Sequence, residues 1–345
     1  NPRPYIEDAR REHPWLAKCH VGYFVHGYQA MKDLLYMDDK MRTSHDDVVA
    51  IYGAEGTEWG RLMVEMMLNR SGPDHARLRA TVADAFTPRK MNQSRHIMKR
   101  VISDLLDEWA PKGEFDFALF ASYFPIAVLF GLLGASPAAI PTIREALETQ
   151  GLAPSLNPKL LPKPMEAYEV MSKYTDDLVS EREARGAPYD DSLMDKLVAA
   201  KLSGQLDKME LRFMLILLLV AGYDTSKNML TLLMHMMLQH PHYWERCAAD
   251  REFCDRAVEE IFRHTSTATM FRIVGEDLDY EGVRFPKDTF LIFGNSIGGR
   301  DPGFFPDPME YRPERTTENR HVAFGRGAHM CVGQHLAKTQ IAEGL

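Results

Sequence analysis

Cysteine is scarce in this chain of 345 residues, and no long apolar run is present. The four cysteines, Cys19, Cys247, Cys254 and Cys331, lack a closely spaced metal-ligand pattern, which argues against a zinc site. Four reduced thiols fit a reducing cytoplasm, where we expect the protein to be. The most apolar run, residues 213–221, is about nine residues long, whereas a membrane-spanning helix needs about 20. The sequence therefore predicts no membrane span.

Acidic residues outnumber basic ones in this chain. The net charge of -8 argues against nucleic acid as the main partner. No signal peptide is visible after Asn1. Because the chain starts without an initiator methionine and stops at Leu345 within a helical pattern, both ends look cut. We therefore expect residues 1–345 to form a single domain, incomplete at both ends, and a monomer.

Helical periodicity dominates what is present. The pattern over residues 206–239 is long and apolar on all sides in its middle, which predicts a helix through the core. Residues 115–133 predict a buried helix that Pro125 kinks or interrupts. Short strand patterns occur at residues 20–26, 271–274, 278–285 and 289–293. The predicted fold class is mainly α with a small β lobe.

A glycine-rich loop near the end of the sequence carries the clearest chemical signal. It reads Phe324-Gly325-Arg326-Gly327-Ala328-His329-Met330-Cys331-Val332-Gly333 and precedes a helical pattern. A thiolate at a helix N-terminus is stabilised by backbone N–H groups and by the helix dipole, and it is a good axial ligand for iron. Taken alone, however, such a loop favours a structural role with a buried free thiol.

The spacing of Phe324, Gly327, Cys331 and Gly333 resembles the heme-binding signature of the cytochrome P450 superfamily. Three further motifs, in the family's order, strengthen the resemblance, which is to the soluble bacterial type. It implies the cytochrome P450 fold with a long core helix over the heme. It also implies heme b (iron protoporphyrin IX) as the cofactor, Cys331 as the axial ligand of its iron, and contacts from Phe324 and Gly333 to the heme.

Glu260 and Arg263 form the second motif. Residues three apart lie on one face of a helix, so these two can form an ion pair, which taken alone would be a solvated surface pair. The resemblance matches them to the family's Glu-x-x-Arg pair and matches Arg315 to the arginine that joins it. It implies a scaffold role, in which the three side chains lock the proline-rich segment 301–315 and the cysteine loop to a core helix.

The third motif is Ala221-Gly222-Tyr223-Asp224-Thr225, within the long helical pattern. Small residues allow close approach of a flat ligand, Thr225 can bond back to a carbonyl one turn earlier, and a buried Asp224 is costly unless used or paired. The alternative is a helix kink with a satisfied aspartate. The resemblance implies that Thr225 holds dioxygen and its waters, that Asp224 relays protons, and that Ala221 lies against the heme.

The fourth motif places His75 and Arg79 four residues apart, on one helix face. Taken alone, this is an ordinary charged face. The resemblance implies that both contact a heme propionate and that Arg272 and His329 match the remaining propionate contacts.

The resemblance implies a monooxygenase that inserts one oxygen atom from O2 into a small, largely apolar organic substrate. Electrons would come from NAD(P)H through a reductase and an acidic ferredoxin-type partner. That partner would dock on basic residues of the thiolate side, namely Arg77, Arg89, Lys90 and Arg326. Two alternatives are a heme-binding sensor without turnover and a peroxide-dependent or rearranging heme-thiolate enzyme. The intact Asp224-Thr225 pair argues against both, and the substrate's identity stays open.

Overall fold

The computed structural model describes residues 3–155, 157–187, 192–316 and 320–345. These residues form two compact units. The mixed unit comprises the chain up to Ser44 together with Leu232–Val332, and the helical unit comprises His45–Thr231 and Gly333–Leu345. The mainly helical fold class with small β sheets is confirmed, whereas the single domain stays a prediction.

The helices and strands are numbered in chain order. The α-helices of the described residues are α1 (Arg3–Glu12), α2 (Tyr28–Leu34), α3 (His45–Tyr52), α4 (Glu58–Glu65), α5 (Gly72–Ala83), α6 (Pro88–Gln93), α7 (Arg95–Trp109), α8 (Phe117–Leu133), α9 (Ile140–Gln150), α10 (Pro162–Ala184), α11 (Leu193–Leu202), α12 (Lys208–Gln239), α13 (Pro241–Ala249), α14 (Arg251–His264), α15 (Asn295–Gly298) and α16 (Gln334–Gly344). The β-strands are β1 (Leu16–Cys19), β2 (Gly22–Val25), β3 (Met41–Arg42), β4 (Thr269–Val274), β5 (Leu278–Tyr280), β6 (Val283–Phe285) and β7 (Phe290–Gly294).

The mixed unit is organised by a five-stranded sheet in the order β1-β2-β7-β4-β3. Strands β2 and β7 pair in parallel, and the other neighbours pair antiparallel. Side chains alternate between the faces of a strand, so Leu291 and Phe293 share one face, and both are fully buried. They join the unit's apolar core, to which α2 contributes Met31 and Leu34.

The predicted strand over residues 278–285 is instead a hairpin of β5 and β6. Its turn residues Glu281 and Gly282 have φ of 47° and 77°, the left-handed values that a tight two-residue hairpin turn requires. A glycine at the second position makes this turn accessible, so the apolar run folds back on itself.

The helical unit confirms the predicted helices, with two differences. Helix α8 passes through Pro125 without a break, because its neighbours Phe124 and Ile126 are fully buried and tertiary packing outweighs the lost backbone hydrogen bond. The sequence also predicts one helix over residues 91–109, but the structure divides this segment into α6 and α7 at Ser94, whose Oγ donates to the Lys90 carbonyl at 3.0 Å. Serine competes for backbone partners in this way, which explains the division.

Helix α12 is the long helix that the sequence predicts, and its apolar residues Leu215, Leu219 and Leu230 are completely buried. Within the described chain it alone is long and apolar enough to cross a membrane. However, 61% of its most apolar 18-residue segment is buried inside the protein, as is typical of a helix in a protein core. Its residues up to Thr231 belong to the helical unit.

Candidate functional site

In the mixed unit, the loop that carries Cys331 closes on itself. The Cys331 N–H donates to the Phe324 carbonyl at 2.8 Å, and the Phe324 ring lies 4.6 Å from the Phe262 ring of α14. Gly325 and Gly327 have φ of +71° and +70°, values that favour glycine. The Cys331 side chain is exposed, three residues before α16 begins at Gln334. The loop therefore presents a sulfur on a tightly fixed backbone.

Asp38, which the sequence did not single out, lies beside this loop. Its Oδ2 accepts the His329 backbone N–H at 3.3 Å. A Cβ on Gly327 would lie 2.5 Å from the same Oδ2 and 2.7 Å from the Leu35 carbonyl oxygen. Glycine is therefore required at residue 327 both by its backbone conformation and by the space that the carboxylate occupies.

Asp38 also brings together Arg272 and His329, two of the predicted propionate contacts. Asp38 Oδ1 lies 3.4 Å from His329 Nδ1 and 3.9 Å from Arg272 Nε. Burial acts to raise the pKa of Asp38, but the hydrogen bonds to His329 and the charge of Arg272 outweigh it and lower the pKa below its ordinary value. Asp38 is therefore ionised at neutral pH.

Glu260, Arg263 and Arg315 lie together in the mixed unit. Arg263 donates to both Glu260 oxygens, at 2.8 and 2.7 Å, and Arg315 Nε lies 3.2 Å from Glu260 Oε1. The Glu260 and Arg263 side chains are only 6% and 4% exposed, so the alternative of a solvated surface pair is wrong. Arg263 also donates to the carbonyls of Gly299, Pro308 and Glu310.

In the helical unit, α12 carries the predicted acid and alcohol. Thr225 Oγ1 donates to the Ala221 carbonyl at 2.8 Å, the back-bond that the sequence predicts. Asp224 is not buried: its side chain is 52% exposed, with Oδ1 3.2 Å from Lys227 Nζ and Oδ2 accepting from Asn228 Nδ2 at 3.1 Å. The expected desolvation cost of a buried acid therefore does not arise.

Lys227 connects Asp224 to a carboxylate on α9. Lys227 Nζ lies 3.0 and 3.2 Å from the two oxygens of Glu148, which also accepts a hydrogen bond from the Tyr223 hydroxyl. Burial acts to raise the pKa of Glu148, but the bonds from Tyr223 and Lys227 lower it overall. The three-residue spacing from Asp224 could have indicated Lys227, but nothing in the sequence pairs α9 with α12.

The remaining residues predicted to contact heme are His75, Arg79 and Gly333. His75 is buried and Arg79 half-buried on α5 in the helical unit. Gly333 lies directly before α16 as its N-cap residue, also in the helical unit. Within the mixed unit, the structure thus joins Phe324 to Cys331 and Arg272 to His329. Within the helical unit, it joins Ala221 to Thr225 and places His75 and Arg79 one turn apart.

The donor groups fit an iron porphyrin. The exposed thiol of Cys331 suits an iron ligand. Gly325 and Gly327 allow the turns by which the loop presents this thiol. The buried guanidinium and imidazole of Arg272 and His329 suit the carboxylates that a porphyrin carries. These features fit a heme-thiolate protein.

Comparisons with known proteins agree with this class. The family model described as Cytochrome P450 matches residues 146–344. Luteothin monooxygenase of Streptomyces thioluteus is 32% identical, over 99% of this chain and 84% of that protein. Polyketide biosynthesis cytochrome P450 PksS of Bacillus subtilis is 34% identical, over 79% of this chain and 67% of that protein.

A solved structure extends the similarity to the fold. The cytochrome P450 enzyme CxnD, for C–S bond formation in chuangxinmycin biosynthesis, is 28% identical, with a TM-score of 0.88 over 100% of this chain and 84% of that one. This chain belongs to the cytochrome P450 family. It is accordingly an oxidoreductase of the monooxygenase type, with a heme-thiolate cofactor, an organic substrate, O2 and a redox partner.

Proposed function

We propose that this chain binds heme b through Cys331 and inserts one oxygen atom from O2 into a small, largely apolar organic substrate. The observation that carries the proposal is the closed loop, in which the Cys331 N–H bonds the Phe324 carbonyl and leaves the sulfur exposed. When bound, a thiolate-ligated heme supplies the electron density that favours O–O cleavage. The protein's residues then provide binding, orientation and protons.

Four side chains would bind the heme carboxylates in this proposal. Two of them are Arg272 and His329, which both lie beside Asp38. The other two are His75 and Arg79, which share one face of α5. Apolar and backbone contacts to the porphyrin would come from Phe324, Gly333 and Ala221.

Asp224 and Thr225 hold and move protons. The Thr225 hydroxyl donates to the Ala221 carbonyl, so its oxygen can accept a hydrogen bond from water. Asp224 is half-exposed and lies 3.2 Å from Lys227 Nζ, which supports a role for its carboxylate between the site and solvent. Through Lys227 this carboxylate connects to Glu148, which lines an open cleft of about 530 Å³.

Glu260, Arg263 and Arg315 support the site without entering the chemistry. Arg315 donates to the Asp307 and Glu310 carbonyls at 2.9 and 3.0 Å while its Nε contacts Glu260. These bonds join the segment before the cysteine loop to α14, which supports the scaffold role.

In this proposal, NAD(P)H would supply the electrons through a reductase and an acidic ferredoxin. Of the basic residues expected to bind the ferredoxin, Arg89 is exposed and Arg326 is half-buried. Arg77 instead pairs with Glu210 of α12, with Arg77 Nη1 3.1 Å from Glu210 Oε2. Arg89 and Arg326 are therefore better candidates for the docking residues than Arg77.

The substrate and the location are also inferred. PksS and CxnD are named for biosynthetic roles, which supports a biosynthetic intermediate as the substrate. The four free cysteines support a location in the reducing cytoplasm, where the protein acts as a monomer in this proposal.

Replacement of the thiolate tests the proposal. Cys331→Ser should abolish the red-shifted Soret band of the reduced, CO-bound protein, whereas Cys19→Ser, a half-buried cysteine of the same unit, should keep it. Persistence of the band in Cys331→Ser would show that another residue binds the iron. NAD(P)H consumption that rises with substrate, in the presence of reductase and ferredoxin, would exclude both the sensor and the peroxide-dependent alternatives.

A further inference from the structure

We propose that Asp38 is a positioning residue of the heme carboxylate site, whose single carboxylate fixes both Arg272 and His329 and also seats the Cys331 loop. The inference rests on the proposed binding of heme by Arg272, His329 and Cys331. It assigns a role to a residue that has no part in the sequence motifs and that lies nearly 300 residues away from the loop it contacts.

The fold fixes the position of Asp38. It begins the short 3-10 turn Asp38–Lys40, which leads directly into β3. Strand β3 pairs with β4, with Met41 opposite Val274, and the Gly275 N–H donates to the Lys40 carbonyl at 2.8 Å. Because Arg272 lies on the same strand β4, the sheet register holds Asp38 beside it.

The two oxygens of Asp38 have different partners. Oδ1 faces the side chains, 3.4 Å from His329 Nδ1 and 3.9 Å from Arg272 Nε. Oδ2 faces the loop backbone and accepts the His329 N–H. The three side chains are only 5 to 13% exposed, so a buried guanidinium here needs its counter-charge. One carboxylate thus sets the orientation of an arginine, a histidine and a loop.

Gly327 shows that the loop and the carboxylate are fitted to each other. Its φ is +70°, and a Cβ on this residue would lie only 2.5 Å from Asp38 Oδ2, so there is no room for a side chain. The glycine lets the loop approach the carboxylate closely enough for the His329 N–H to reach it.

Two opposite consequences of removing the charge can be distinguished. If positioning dominates, Asp38→Asn lets Arg272 and His329 adopt other orientations and weakens heme retention. Residues that orient the groups of a metal site typically change affinity by about 10- to 100-fold when mutated. If simple charge dominates, loss of a carboxylate near the propionates would instead slow heme loss.

The experiment follows heme transfer from the purified holoenzyme to excess apomyoglobin. We expect Asp38→Asn to lose heme about 10- to 100-fold faster than the wild type. Asp301→Asn is the matched control, because Asp301 accepts the Tyr28 and Gly303 N–H groups in the same unit without contacting Arg272 or His329. It should lose heme at close to the wild-type rate.

A second readout separates positioning from general stability. Asp38→Asn should raise the ferric–ferrous midpoint potential, because a negative charge beside the heme is lost, and Asp38→Glu should restore most of the potential and of the retention. Equal heme loss in Asp38→Asn and Asp301→Asn, or slower loss in Asp38→Asn, would overturn the inference. Should Asp38→Asn yield no holoenzyme, Asp38→Glu decides: wild-type yield supports the role of the charge, and equal failure of Asp38→Glu and Asp301→Asn refutes it. A wild-type protein without the thiolate Soret band would instead refute the proposed function.

Discussion

The buried ion pair of α14 offers the sharpest test of how this fold is held together. Arg263→Ala removes a guanidinium that makes five hydrogen bonds, two to Glu260 and three to backbone carbonyls. The Glu260 carboxylate is then left, 6% exposed, with Arg315 as its remaining ionic partner.

The expected cost follows from this geometry. Breaking a buried pair by removing one partner typically costs about 3–5 kcal/mol. Arg315 retains a contact of 3.2 Å to Glu260, which places the expected cost toward the lower end of that range. Because whole domains are stable by only about 5–15 kcal/mol, Arg263→Ala should reduce both the yield and the heme content of the protein.

Urea unfolding of the holoprotein measures this cost, and α14 supplies its own control. Glu252 pairs with Arg256 on the same helix at 2.8 Å, but the Glu252 side chain is 83% exposed. Glu252→Gln should therefore cost about 0.3–0.5 kcal/mol. If Arg263→Ala and Glu252→Gln shifted the free energy of unfolding equally, the buried pair would contribute no more than a surface one, and the scaffold role would be wrong.

Further predictions concern the chemistry, the pH response and the partner. Thr225→Ala should keep heme and substrate binding but divert NAD(P)H electrons to hydrogen peroxide; unchanged product per NAD(P)H would refute its role. Burial lowers the pKa of both His26 and His264 to about 4, so the folded state favours their neutral forms and stability should be lost as pH falls from about 6.5 toward 4. Melting temperatures across this range should fall less steeply in His26→Gln; an unchanged slope would exclude His26. Reduction by an acidic ferredoxin should slow with salt and with Arg326→Glu, while dithionite reduction should not; indifference to both would show that Arg326 does not bind the carrier.

Local patterns predict the helices well, because periodicity and capping act over a few residues. The long apolar pattern correctly gives α12, although the sequence underestimates how well packing tolerates Pro125 in α8. The split at Ser94 and the hairpin turn at Glu281 depend on single side-chain or backbone conformations, which periodicity does not register.

Some residues of the candidate site could likewise be predicted from local sequence, and others could not. The pairing of Glu260 with Arg263 follows from their spacing on one helix, and the back-bond of Thr225 follows from its position in α12. Asp38 and Glu148 are different, because each acts on partners from remote parts of the sequence. Their roles depend on sheet register and on helix packing, which no local pattern encodes.

The parallel pairing of β2 with β7 has a consequence for synthesis on the ribosome. Tyr23 of β2 pairs with Leu291 of β7, so the edge of β2 that faces away from β1 has no partner until most of the chain has been made. At a synthesis rate of about 5–20 residues per second, roughly 10–50 s pass between the synthesis of β2 and that of β7. During this time its apolar residues and open edge are available to other nascent chains, which is a known route to aggregation. Slower translation or scarce chaperones should therefore lower the yield of this protein before they affect its activity.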